Sequence, residues 1–139
     1  MAEDKFNQWA LAFLRVVLGV IFLYHGYLKL FVPGVFTQTI NLLASVKIPV
    51  PVYSAILISV VEFVGGILLI VGFLTKWTSF VVLLEMLVAF FAVHLKNGLL
   101  VYSGGYEFVL LLIAALLIVL ANGAGNLSFA SRFKNKHLQ

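Results

Sequence analysis

The chain has 139 residues, 63% of them hydrophobic and only 10% charged, with a mean hydropathy of +1.15; a soluble domain of this balance would precipitate, so the chain reads as an integral, multi-pass membrane protein. That length has no room for an appended soluble catalytic domain of ordinary size, and the absence of cysteine excludes disulfides, thiol redox chemistry, iron–sulfur clusters and thiolate metal sites. The net charge of +4 is carried by basic residues standing singly between apolar runs, as the flanks of membrane spans do, so nucleic acid is excluded as a partner.

The first apolar run, 8–31, is long enough to cross the roughly 30 Å of hydrocarbon as a helix. It carries Arg15 and Lys29 and has no small-residue cleavage site behind it, so it is expected to stay in the mature protein rather than to act as a signal peptide. Arg15, Gly19, Phe22, Gly26 and Lys29 fall on one seven-residue repeat, with His25 at the edge of that face. One helix stripe therefore holds both the charges and the glycines that let a neighbouring backbone approach.

A long outer loop, 32–52, follows. Its three prolines, Pro33, Pro49 and Pro51, confine it to turns and extended backbone around any short helix, and it is expected to cap one mouth of the bundle. The second span, 53–74, presents Ala55, Ser59, Glu62, Gly66, Leu69 and Phe73 as a stripe, with Gly65 and Gly72 beside it, and is expected to pack on the first. Only Thr75 and Lys76 separate it from the third span, 77–95, which makes the two antiparallel neighbours. The third span contains Glu85 and ends near His94. The connection Lys96–Tyr106 contains Asn97-Gly98 and Ser103-Gly104-Gly105, which favour turns, and the fourth span, about 102–122, carries Glu107. The chain closes with a basic tail, 123–139, whose Ser131–Gln139 end is expected to touch anionic lipid.

The expected architecture is all-α, a single four-transmembrane-helix bundle with both termini on one side. Lys5, Lys76, Arg132, Lys134 and Lys136 gather on that side against Lys29, Lys47 and Lys96 on the other, which makes the termini cytoplasmic. Trp9, Trp77, Tyr53, Tyr102 and Tyr106 lie near span ends as an interfacial belt, while Phe13, Phe80, Phe90 and Phe91 read as packing or lipid-facing residues.

Ionisable groups inside spans are costly and normally find partners in the bundle interior. At about 1.5 Å per residue, Arg15 and Glu85 both lie about 10 Å from their cytoplasmic ends, and are expected to form a structural charge pair. Glu62 sits deeper, beside a Gly-Gly pair that opens space for a ligand or a proton. His25, Lys29, His94 and Glu107 form an expected outer polar layer, with Glu107 as proton acceptor or as counter-ion for Lys29. On an ideal helix His94 points opposite Glu85 and would join this layer only if the helix end unwinds. Glu62-Phe63-Val64 and Glu107-Phe108-Val109 each follow a helix with a histidine near its end, an echo that would relate two helix pairs by a pseudo-twofold axis.

Five strings in order carry a resemblance: Arg15 through Gly19 to Phe22 with Tyr24-His25-Gly26-Tyr27-Leu28-Lys29-Leu30-Phe31; Glu62 with Gly65-Gly66; Gly72-Phe73-Leu74-Thr75; His94 with Asn97-Gly98; and Gly104-Gly105-Tyr106-Glu107. Over nearly its whole length the chain resembles the DoxX family. The resemblance implies a four-helix integral membrane protein, with relatives associated with quinone-linked oxidation of sulfur compounds, with oxidative-stress complexes and with resistance to quinone-like compounds. It carries over His25, Lys29, Glu62, His94 and Glu107 as family-pattern positions.

The leading expectation is a small membrane subunit or scaffold of a redox or oxidative-stress system, binding a quinone or similar amphipathic molecule in an intramembrane polar pocket. A quinone carbonyl needs donors such as His25 or Lys29, and its reduction consumes protons that Glu62 or Glu107 could relay. No flavin, nicotinamide or metal-cluster signature supplies electrons, so no intrinsic cofactor or metal is expected. A membrane or soluble redox partner protein would supply them, and the chain would be at most an accessory subunit of a quinone-linked oxidoreductase. Two alternatives are a transporter or stress-resistance protein for small molecules, with the long loop as gate, and an electron carrier with haem held between His25 and His94. A homo-oligomer is among the partners the sequence leaves open.

Overall fold

The computed structural model describes residues 2–125 and Ser128, and among these residues every regular element is helical. The chain runs through α1 (Ala2–Phe31), α2 (Val35–Ser45), α3 (Pro51–Val71), α4 (Thr75–Ala89) and α5 (Glu107–Asn122). Beyond α4 the same rod continues as a π-helical turn, Phe90–His94, and a short 3₁₀ turn, Leu95–Asn97; a second 3₁₀ turn, Val101–Ser103, precedes α5. Ser131–Gln139 and the tail charges Arg132, Lys134 and Lys136 lie outside the described residues.

Among the described residues three rods are long and apolar enough to cross a membrane: Lys5–Phe31, Pro51–Val71 and Thr75–Asn97. The fourth apolar helix, α5, has 16 residues and spans about 24 Å, short of full hydrocarbon thickness. It begins at Glu107 because Gly104 and Gly105 break the chain before it: Gly104 sits at φ +79°, and the Gly105 N–H is used on the Leu100 carbonyl at 2.9 Å. The outer surface is apolar all round, with Phe13, Tyr53, Leu57, Trp77, Phe91 and Leu111 exposed, as a lipid-facing surface is and an aqueous one is not.

The connection between α1 and α3 contains a helix. Gly34 starts it in the left-handed region at φ +85°. It ends with the Lys47 N–H on the Ala44 carbonyl and the Ile48 N–H on the Leu43 carbonyl, both at 3.0 Å. These bonds close a Schellman-type cap in which Lys47, at φ 61°, occupies the position usually given to glycine. Pro51 then opens α3 where no N–H is needed, and Gly72, at φ +75°, ends it.

At the α1–α3 seam the two backbones approach closely. A Cβ on Gly19 would lie 2.7 Å from Ile70 Cγ1, and one on Gly66 would lie 2.6 Å from Leu23 Cα, so only glycine lets the two backbones meet. Leu18, Phe22 and Leu69 continue from this seam into a core with Val82, Leu83 and Met86 of α4 and Val109, Leu112, Ile113, Leu116 and Val119 of α5. Towards the far ends of α3 and α4 from their short connection this packing gives way to a cavity.

Candidate functional site

The cavity has a volume of about 710 Å³ and is walled by one face of each helix around it. From α3 come Ser54, Leu57, Ile58, Val61 and Glu62, and from α4 Val81, Leu84, Glu85 and Val88, each set following i, i+3, i+4, i+7 spacing. From α1 come His25 and Lys29, one turn apart. Helix α2 covers one side with Thr39, Leu42 and Leu43, and His94 enters from the extension of α4. Four of the site positions read from the sequence, His25, Lys29, Glu62 and His94, thus line one space, and Glu85 joins them. All other lining groups but a few hydroxyls and backbone atoms are apolar.

Within this space Lys29 Nζ forms an ion pair with Glu62 Oε2. Glu62 is 5% exposed, held by the buried Ala55–Ser59–Glu62 stripe of α3. The Glu85 carboxyl comes within hydrogen-bonding reach of Glu62, and its Oε2 is buried without a donor from any described residue. His25 packs edge-on to Tyr24, ring centroids 6.4 Å apart. Both carboxyls, the ammonium and the imidazole therefore form one polar layer in an apolar chamber.

Three expected roles change. Arg15 does not pair with Glu85. Its Nη1 donates to the Leu69 carbonyl, and to the Ile70 carbonyl at 3.0 Å, so the cation sits at the negative, C-terminal end of α3. Gly72 provides the room, since a Cβ there would lie 2.7 Å from Nη1. Backbone carbonyls are acceptors that charge counting over side chains never considers. Nor is Glu107 the counter-ion of Lys29; that place is taken by Glu62. Glu107 does not line the cavity: its Oε1 accepts from the Val101 N–H at 2.6 Å and closes the loop ahead of α5. The position of His94 has a different cause. The π turn, closed by the Leu95 N–H on the Phe90 carbonyl, widens the helix and changes its phase, so His94 lines the same cavity as Glu85. Its Nδ1 lies 2.7 Å from the Gly104 carbonyl oxygen, which leaves Nε2 as the acceptor of the neutral ring.

Sequence reasoning did not assign Glu85, Thr39 or Leu42 to the site. The i, i+3, i+4, i+7 set around Glu85 was a usable signal, because it places that carboxyl among Val81, Leu84 and Val88 on one face. The α2 residues had none beyond the amphipathicity of a short segment between two prolines. Among the described residues no group of three or more His, Cys, Asp or Glu side chains is arranged to hold a metal ion.

Comparison with known proteins gives a consistent result. The sequence model of the DoxX family matches residues 10–95, most of the span from α1 to His94. A Haemophilus influenzae protein described as an uncharacterized protein is 30% identical over 136 residues, covering 96% of this chain and 97% of that one. A second H. influenzae protein, also described as an uncharacterized protein, is 33% identical over 73 residues, covering 52% of this chain and 48% of its own length. No solved structure matches.

Proposed function

The chain belongs to the DoxX family, and from that premise we propose that it binds a quinone or similar amphipathic ring inside the bilayer, as a small membrane subunit or scaffold of a redox or oxidative-stress system. The observation that carries this reading is the meeting of His25, Lys29, Glu62, Glu85 and His94 on one otherwise apolar cavity of about 710 Å³, a volume suited to a small amphipathic molecule. The ring and its tail would lie against Leu57, Val81, Leu84 and Val88. A ring oxygen would take hydrogen bonds from Lys29 or His25, and Glu62 with Glu85 would hold the protons that a change of redox state requires. Electrons would come from a membrane or soluble partner protein, because no residue of the chain carries them.

The reading includes a four-span topology with both termini cytoplasmic. It is supported by the apolar α5, by its packing in the common core with α1, α3 and α4, and by Lys5 and Lys76 standing opposite Lys29, Lys47 and Lys96. At about 24 Å, α5 would cross with local thinning of the bilayer.

The test is titration of the purified protein in lipid nanodiscs with a short-chain quinone and the corresponding hydroquinone, followed by calorimetry. Saturable binding to either, weakened at least about tenfold by Lys29→Met or His25→Ala, is the expected result. No saturable binding of either compound ends the proposal. A second reading, transport, is favoured by α2 lying as a cover on the cavity; uptake of the same compounds by proteoliposomes, lost on crosslinking α2 to α3, would mark it. His25 and His94 sharing the cavity keeps the haem reading distinct: a purified protein with a haem absorbance band would support it, and a colourless one would dismiss it.

A further inference from the structure

The polar layer has an imbalance of donors and acceptors that specifies what a ligand must bring. Glu85 Oε2 is buried and receives no hydrogen bond from a described residue. Its neighbour is the carboxyl of Glu62, which the ion pair with Lys29 keeps as an acceptor; a hydrogen bond between the two carboxyls needs one proton, carried on the other Glu85 oxygen, and this leaves Oε2 as an acceptor. No side-chain donor lining the cavity is bonded to it. Lys29 is bonded to Glu62; Thr39 Oγ1 donates to the Val35 carbonyl at 3.0 Å; Ser54 Oγ donates to the Pro49 carbonyl at 3.0 Å; His94 Nδ1 is held by the Gly104 carbonyl. From α5 only apolar side chains, Phe108, Val109 and Leu112, face the space.

A buried carboxyl without a donor costs more than a hydrogen bond gains, so the missing donor has to arrive with the ligand or as water. A quinone presents only carbonyl acceptors and would set a lone pair against Glu85. An ammonium ligand would donate, but it would share the chamber with Lys29, and it offers nothing for the remaining Lys29 and His25 donors. A hydroxyl does both, donating its proton and accepting through its oxygen.

We infer that the polar end of the ligand is a ring hydroxyl that donates to Glu85 and accepts from Lys29 or His25, so that the site prefers a phenol or hydroquinone over the corresponding quinone. This inference rests on the site reading above and adds the form of the ligand. The apolar end follows from the same walls: Leu57, Val81, Leu84 and Val88 line the cavity and are also exposed on the outer surface, so the body of the ligand lies between α3 and α4, open to lipid.

Three matched probes test this in nanodiscs under anaerobic conditions, each titrated by calorimetry: a short-chain alkyl hydroquinone, its di-O-methyl ether and the corresponding quinone. The hydroquinone is expected to bind about tenfold more tightly than either of the others, the loss associated with one unmade hydrogen bond at a buried carboxyl. Glu85→Leu should bring the three within about twofold of one another. Glu85→Gln, whose amide N–H can donate to a carbonyl, should move the preference towards the quinone, and it decides the matter if the leucine variant does not fold. Equal affinities in the unmodified protein, or a hydroquinone preference that survives both substitutions, overturn this inference and leave the binding site standing. Failure of all three probes to bind overturns the site reading itself.

Discussion

Lys29 on α1 and Glu62 on α3 meet as an ion pair in the wall of an apolar cavity, their side chains 16% and 6% exposed. The pair joins two helices whose backbones also meet at Gly19, Gly26 and Gly66, so its energetics and those of the seam are linked. Removing one partner leaves the other charge without compensation in a low-dielectric setting, which costs about 3–5 kcal/mol for a buried pair. Lys29→Met is therefore expected to lower stability by about 3 kcal/mol, and the double variant Lys29→Met/Glu62→Leu to recover most of the loss. Thermal unfolding in detergent measures both; a double variant no more stable than the single one would falsify the pair as the origin of the cost.

Arg15 behaves differently because its Nη1 donates to backbone carbonyls. Arg15→Met should destabilise by about 3 kcal/mol, since it leaves the Leu69 and Ile70 carbonyls without their donor. Glu85→Gln should change stability by less than about 1 kcal/mol, and the two substitutions should add without coupling. A coupling energy above about 1 kcal/mol would restore the Arg15–Glu85 charge pair.

What could be read from the sequence follows from what a periodic pattern encodes. Apolar run length gave the helical class and the membrane location, and ordered short strings gave the family. Spacing puts Gly19 and Gly26 on one face of α1, and in the structure that face meets α3. Spacing says nothing of what an arginine finds across the bundle when the acceptors are carbonyls, as with Arg15. It also assumes a constant 3.6-residue turn, so the phase of His94 was lost where the helix becomes a π turn at Phe90–His94. Glu107 illustrates a third limit, that a carboxylate at a helix start serves the local backbone as readily as a distant lysine.

The adjacent glycines of α3, Gly66 facing α1 and Gly65 facing α4, should rank by the space each has. A Cβ at Gly66 would lie 2.7 Å from the Gly19 carbonyl oxygen, whereas one at Gly65 would meet only Val82 Cγ2 at 3.2 Å and Thr78 Cγ2 at 3.3 Å. Backbone cannot yield as a methyl group can. Gly66→Ala is expected to cost about 2–3 kcal/mol or more by forcing α1 and α3 apart, and Gly65→Ala less than about 1 kcal/mol. Melting temperatures of the two variants in one detergent provide the comparison, and equal losses would contradict the ranking.

Lys47 offers a stabilising change. Its φ of 61° lies in the left-handed region at the end of α2, where a Cβ is strained and glycine is not. Lys47→Gly should raise stability by about 0.5–1 kcal/mol, the relief of strain exceeding the entropy that glycine adds to the unfolded chain. Because Lys47 does not line the cavity, ligand affinity should not move. A fall in melting temperature would show that its side chain has a role the cap geometry does not reveal.

Glu107 separates a structural carboxylate from one that serves the ligand. Its Oε1 accepts from the Val101 N–H, and its own N–H bonds the Leu99 carbonyl at 2.9 Å. The side chain thus fastens the Gly98–Tyr106 loop, whose Gly104 carbonyl in turn holds His94. Glutamine keeps an oxygen to accept from Val101 and removes only the charge, so Glu107→Gln should leave both stability and ligand affinity within about twofold of the unmodified protein. Alanine removes the acceptor; Glu107→Ala should raise amide hydrogen exchange at Val101 by about tenfold, as one bond of the loop is lost. It should also weaken ligand binding in proportion to the loosening of His94, which Asn97, donating to the same Gly104 carbonyl at 3.1 Å, partly limits. If Glu107→Gln abolished binding while leaving exchange at Val101 unchanged, the charge itself would be acting on the ligand, and Glu107 would belong with Glu62 and Glu85 rather than with the loop.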